Sequence, residues 1–223
     1  MRDTTLPSGT PAMVHLVEGA TRGIVIIPDI WGLRRLYAEM VDEMAGRTGC
    51  SVIVFEPFPG QDLPGGSSPD GLAARGAALR GLADDRLLGD AVAAADLLGV
   101  DDVGVVGFCM GGMYALKASA LDRFDRAVTF YGMIRVPADW ESPGQGEPLD
   151  AVERRGATPV LAIIGTVDGY TPPDDVDALE ALGVECVRYE GADHGFVHDP
   201  SRPAHRPEYA ADAWTRADAL LGG

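Results

Sequence analysis

The 223-residue sequence predicts an α/β fold in which a mostly parallel central sheet is covered by helices on both faces. Three observations predict it. Short apolar runs of strand length recur along the chain and alternate with segments of helical length. Those runs are apolar throughout and not at every second residue, the pattern of strands buried on both sides. Polar and glycine-rich clusters follow directly after the runs, at the carboxyl ends where open α/β sheets place their ligands. No repeat, linker or composition shift divides the chain, so residues 1–223 read as one domain.

Residues 13–17 are a short candidate first strand. Residues 23–27 (Gly-Ile-Val-Ile-Ile) form a firmer one, ending in Pro28-Asp29-Ile30-Trp31-Gly32. Residues 34–47 predict an amphipathic helix, because Leu36, Met40, Val41 and Met44 share a face and Gly49 stops it. Residues 51–55 are the next strand, closed by Glu56-Pro57-Phe58-Pro59-Gly60, and residues 61–71 are a loop rich in Pro, Gly and Ser. Residues 72–98 are rich in Ala and Leu and read as helical, with breaks near Gly81 or Gly89. The run Val103-Gly104-Val105-Val106 leads into Gly107-Phe108-Cys109-Met110-Gly111-Gly112, and a helix-like segment follows over 113–121. Further strands are expected at 126–132 and 159–165, separated by an irregular stretch at 136–147. Residues 172–182 open with prolines and acidic residues, a helix-start signature. A last strand at 186–189 precedes Gly191-Ala192-Asp193-His194-Gly195-Phe196. A terminal helix over 207–221 is expected to turn Tyr209, Ala213, Trp214 and Leu220 inward.

Composition narrows the function classes. Hydrophobic residues are 46% of the chain and no apolar run is long enough to span a bilayer. Residues 1–10 lack the basic and apolar regions of a signal peptide, so a cytoplasmic location is expected. Three cysteines, at 50, 109 and 186, are an odd number without zinc-type spacing, which argues against a disulfide framework. A formal charge of −16 disfavours nucleic acid or an anionic membrane as partner.

The chemistry concentrates at Gly107-Phe108-Cys109-Met110-Gly111. A reactive side chain on a sharp strand-to-helix turn, with small residues two before and two after, is the arrangement of a nucleophile elbow. A thiolate at Cys109 would face the positive end of the following helix. The alternative is a buried structural cysteine, and the rest of the chain decides between them. Asp168 and His194 follow later strands, so the order is nucleophile, acid, histidine. Cys109 is the candidate nucleophile, His194 the proton carrier, and Asp168 the group that fixes the imidazole tautomer. His15 lies too early in the chain, while His198 and His205 lie in a proline-rich loop, which leaves His194 as the base.

These motifs resemble the dienelactone hydrolase family of α/β-hydrolases (carboxymethylenebutenolidase-like proteins). The resemblance rests on Pro28-Asp29-Ile30-Trp31-Gly32-Leu33, the Cys109 turn, residues 127–132, Gly165-Thr166-Val167-Asp168, and residues 191–196. It implies the α/β-hydrolase fold and a cofactor-free, metal-free hydrolase of lactones or esters, acting on a small molecule through a thioester. It also implies an oxyanion hole from the backbone N–H groups of Ile30 and Met110. In the family, a carboxylate in the Ile30 loop helps activate the cysteine. Asp29 holds that position here, one methylene shorter than the family's glutamate. Family members also hold a substrate carboxylate with arginines, one of them at the position of His198. Arg75, Arg80 and Arg86 are candidates for the other, and Arg202 and Arg206 for a substitute. Trp31, Phe58, Tyr131 and Phe196 are candidates for an apolar pocket, with His198 beside them. Two other readings stay open: a hydrolase fold that only binds its ester or lactone, and a metal site from Asp193, His194, His198 and Asp199.

Overall fold

The computed structural model describes residues 1–64 and 69–222. Its eight strands form one sheet in the order β1-β2-β4-β3-β5-β6-β7-β8. They are β1 Arg2–Thr5, β2 Pro11–His15, β3 Arg22–Ile27, β4 Ser51–Phe55, β5 Asp102–Phe108, β6 Arg126–Phe130, β7 Val160–Gly165 and β8 Glu185–Tyr189. From β4 to β8 every pairing is parallel, while β1 and β2 add an antiparallel edge. The central strands are buried along their length because helices cover both faces, as their unbroken apolar runs require.

The helices are α1 Arg35–Thr48, α2 Pro69–Leu79, α3 Asp84–Leu97, α4 Met110–Ala118, α5 Pro148–Arg154, α6 Pro173–Ala181 and α7 Pro207–Gly222. Strand β5 shows how they divide. A Cβ on Gly104 would meet Leu221 of α7 at 2.7 Å, and Phe108 packs its ring against Trp214 of α7. A Cβ on Gly107 would instead meet Gly111 of α4. Alternate residues point to opposite faces of a strand, so α4 and α7 lie on opposite sides of the sheet.

Several expectations shift in detail. The first strand of the sheet is β1, a polar edge strand with no apolar run to betray it; the segment expected at 13–17 is β2, displaced toward the N-terminus. The helical stretch at 72–98 is two helices that part around Gly81, whose N–H bonds back to the Ala78 carbonyl. Helix α2 begins at Pro69, inside the stretch expected to be a loop; residues 65–68 of that stretch lie outside the described residues. The irregular segment contains a short 3-10 turn, Ala138–Trp140, and α5 follows it with Pro148 opening the first turn. In α7 the fully buried stripe is Ala210, Ala213, Ala217 and Leu221, with Tyr209, Trp214 and Leu220 half-buried beside it. Small residues let this helix lie close to the sheet, so the larger ones flank the contact and do not centre it. No helix among the described residues is long and apolar enough to cross a membrane.

The sheet order reverses at β3. From there the chain passes to β4 on one side and then crosses to β5 on the other. Such a switch point opens a crevice at the carboxyl ends of the two diverging strands. The loop after β3 carries Asp29 to Trp31, and the turn after β5 carries Cys109.

Candidate active site

Cys109 joins β5 to α4 with φ 56° and ψ −119°, a conformation that L residues rarely adopt. Strain of this kind costs on the order of 1–3 kcal/mol and persists only where the surroundings enforce it. Here the enforcement is steric. A Cβ on Gly107 would sit 1.9 Å from the Gly111 carbonyl oxygen, and one on Gly111 would sit 2.0 Å from that of Ile27. The elbow therefore folds back on itself and presses against the end of β3. Its closure is fixed by the Cys109 N–H, which donates to the Phe130 carbonyl at 3.0 Å. Cys109 is 7% exposed.

The acid and the histidine arrive from β7 and β8. Asp168 is buried, and its Oδ2 lies 2.8 Å from His194 Nδ1. The other carboxylate oxygen accepts the Tyr170 N–H at 2.8 Å, an Asx-type turn that fixes the carboxylate plane. The imidazole stands between two aromatic edges, Tyr131 at 5.1 Å and Tyr170 at 5.0 Å between ring centres. With Nδ1 held by Asp168, Nε2 is left with no hydrogen-bond partner among the described residues. Burial opposes the charged imidazole, but the Cys109 charge nearby and the hydrogen bond to Asp168 push its pKa up to about 10. The three groups expected to meet do meet at one end of the sheet.

A cleft of about 250 Å³ opens over Cys109 and His194. Trp31, Met133, Trp140 and Tyr170 give it apolar walls, and Arg202 brings a guanidinium to its edge. Other described hollows at the surface, including a larger one bounded by Glu141 and Gln145, lie away from Cys109. Of the residues expected to line a pocket, Trp31 borders the cleft. Phe58, Tyr131, Phe196 and His198 are buried and do not border it. Sequence reading missed Met133, Trp140 and Tyr170 as wall residues. Tyr170 carried a signal, since an aspartate turn two residues before it aims it at the histidine that the aspartate binds.

Asp29 is 1% exposed and fully engaged. Arg34 forks onto it at 2.6 and 2.9 Å, His198 Nε2 reaches its Oδ2 at 2.9 Å, and the Trp31 N–H reaches its Oδ1 at 3.0 Å. Burial would raise its pKa, but the hydrogen bond of His198 and the fork of Arg34 hold it well below the usual carboxylate range. His198 is itself kept below the ordinary imidazole value by burial, so in neutral solution Arg34 carries the opposing charge. The tautomer follows: Nε2–H donates to Asp29, and Nδ1 accepts from the Tyr131 hydroxyl. His194 and His198 are thus bound to different carboxylates. Among the described residues no group of His, Cys, Asp and Glu is placed to hold a metal ion.

Comparison with known proteins bears on family and fold. The dienelactone hydrolase family model matches residues 11–222. The chain belongs to the dienelactone hydrolase family. A carboxymethylenebutenolidase of Rhodococcus opacus is 30% identical to this family member over 230 residues, covering 93% of the chain and 85% of the relative. A candidate carboxymethylenebutenolidase of Synechocystis sp. is 32% identical over 127 residues, which are 54% of this chain. That match spans only half the length (50%) of the Synechocystis protein. In three dimensions a candidate dienelactone hydrolase from Klebsiella pneumoniae superposes with a TM-score of 0.84 at 23% identity, covering 99% of this chain and 97% of the other. The likeness in three dimensions establishes the α/β-hydrolase fold.

Proposed function

We propose that this dienelactone hydrolase family member hydrolyses carboxylic esters and lactones of small molecules through a Cys109-His194-Asp168 triad. The observation that carries the reading is Cys109 on a strained strand-to-helix turn, sharing a cleft with a histidine whose Nδ1 is held by a buried aspartate. That combination leaves Nε2 facing the cleft side of the ring as the proton carrier.

The steps follow from the groups. In the resting site the thiol proton already lies on His194 Nε2, and Cys109 Sγ forms a bond to the substrate carbonyl carbon. The carbonyl oxygen gains negative charge and is met by the N–H groups of Ile30 and Met110. Neither has a competing claim: the Ile30 N–H has no partner among the described residues, and the first N–H groups of a helix lack intrahelical acceptors. The C–O bond then breaks, and His194 returns its proton to the leaving oxygen. In a lactone that oxygen remains tethered to the acyl chain. Water adds to the thioester with His194 as base, releasing the carboxylic acid and the thiol. No step requires a cofactor.

Wild type and Cys109→Ala should be compared on a small activated ester and on a lactone. Turnover by wild type, with loss of at least about a thousandfold in the variant, is expected. Equal turnover by the two proteins would overturn the reading. The alternative of a binding protein without catalysis would show as ligand binding with no turnover by either.

A further inference from the structure

In the loop after β3 the backbone N–H groups of Asp29, Trp31, Gly32 and Leu33 are all tied down. The Asp29 N–H donates to the Tyr37 hydroxyl at 2.7 Å, and the Asp29 carbonyl accepts the Gly32 N–H at 3.0 Å. The Trp31 N–H is taken by the Asp29 carboxylate. The Ile30 carbonyl accepts from Nη1 of the buried Arg75 at 2.8 Å, and the same guanidinium lies 5.4 Å from the centre of the Trp31 ring. Among the backbone N–H groups from Asp29 to Leu33, what remains is that of Ile30. A loop whose neighbouring N–H groups are satisfied presents that one donor in a fixed direction at no reorganisation cost.

The carboxylate at the centre of this arrangement is committed elsewhere than the thiol. Its two oxygens accept four hydrogen bonds, from Arg34 twice, His198 and Trp31. A planar carboxylate has about four lone-pair sites, so none is left for a thiol. His198 is held in turn by the Tyr131 hydroxyl, and Tyr131 packs edge-on against the catalytic imidazole. Tyr131 reaches both rings because it is turned to φ 41°, where Gly132 lies hard against Gly112 of α4.

We propose that Asp29, Arg34 and His198 form a buried clamp that positions the Ile30 N–H for the oxyanion, and that Asp29 does not act on the Cys109 thiol. This rests on the hydrolase reading above and deepens it. The three are positioning residues, since their effect reaches the reacting atoms through the Ile30 peptide. The clamp differs from what the family resemblance implies for this loop, where the carboxylate works on the cysteine. The physical cause is local: a shorter side chain, paired with an arginine five residues later and a histidine at a position where the family places arginine.

The test separates oxyanion stabilisation from thiol reactivity. Alkylation of Cys109 by iodoacetamide develops no oxyanion, whereas ester turnover does. In Asp29→Asn and His198→Ala, kcat for an activated ester should fall on the order of 10–100-fold, with KM changed less than about threefold. The alkylation rate of Cys109 should stay within about twofold of wild type. His198→Gln, whose amide can still donate to Asp29 and accept from Tyr131, should recover most of kcat. Alkylation falling in parallel with kcat would overturn the proposal, because Asp29 would then be acting on the thiol. Unchanged kcat in both Asp29→Asn and His198→Ala would overturn it as well. Failure of the hydrolase reading would look different: wild type itself would show no turnover that depends on Cys109.

Discussion

His194 stands at the meeting point of opposed effects. Burial disfavours the imidazolium, while Cys109 and Asp168 favour it strongly enough to bring its pKa to about 10. A histidine raised this far holds its proton across neutral pH and loses it only in alkali, so kcat/KM should show an alkaline limb near pH 10. Asp168→Asn removes one of the raising causes. Its limb should move to lower pH, and kcat should fall on the order of 10³–10⁴-fold because the tautomer is no longer held. A pH–rate profile measures both, and an unmoved limb would count against Asp168 as the partner. Arg202 supports a second expectation at this scale. It borders the cleft, and no carboxylate lies within ion-pair distance of it among the described residues. A hydrogen bond to a charged group contributes about 1.5–3 kcal/mol, equivalent to roughly 10–100-fold in affinity. Arg202→Ala should therefore raise KM by about that factor for esters carrying a carboxylate and leave neutral esters unchanged. Steady-state kinetics on a matched pair of substrates would check it. The sequence could name Arg202 as a candidate but could not place it, because its position depends on how the loop before α7 folds over Gly195.

At the scale of elements, the elbow is the part most sensitive to small changes. Gly107 and Gly111 bring β3, β5 and α4 within backbone contact, and a methyl group on either would overlap a carbonyl oxygen at about van der Waals half-distance. Overpacking that only backbone movement can relieve costs typically 1–3 kcal/mol and sometimes more. Gly111→Ala should cost at least about 3 kcal/mol and lower Tm by roughly 6–12 °C for a domain of this size. Thermal unfolding of the variant checks this, and a shift under about 2 °C would mean the elbow yields easily. This element was legible from its sequence, because a β-branched run ending in Gly-x-Cys-x-Gly-Gly admits few conformations. The strands were legible for a similar reason: double burial writes itself as unbroken apolar residues. Strand β1 was not, since Arg2–Thr5 is an exposed edge held by pairing with β2 and not by apolar burial. Nor was α5, whose seven residues carry little periodicity and are held by packing against α4. Trp140 and Met133 reach the cleft from the irregular connection before α5, where no repeat in the sequence signals direction.

Across the whole molecule, the site is a product of strand order. Asp29, Cys109, Asp168 and His194 are spread along most of the chain, and because the strands they follow are parallel they come to one end of the sheet. Each follows an apolar run, so their common placement at the carboxyl ends of strands was readable before any distance was known. The Asp29–Arg34–His198 network was not, since it depends on how far each side chain reaches once the sheet has closed. The formal charge of −16 sets the wider field in which this cleft works, and Arg202 is the local exception to it at the cleft edge. If acyl groups pass through the sulfur of Cys109, the intermediate can be trapped. Wild-type protein is mixed with an activated ester and quenched in acid within the first turnover, with the intact mass and the Cys109 peptide read by mass spectrometry. One acyl group per chain, carried on Cys109 and absent from Cys50 and Cys186, is the predicted result. Product release in the same interval with no acyl mass on Cys109 would contradict it.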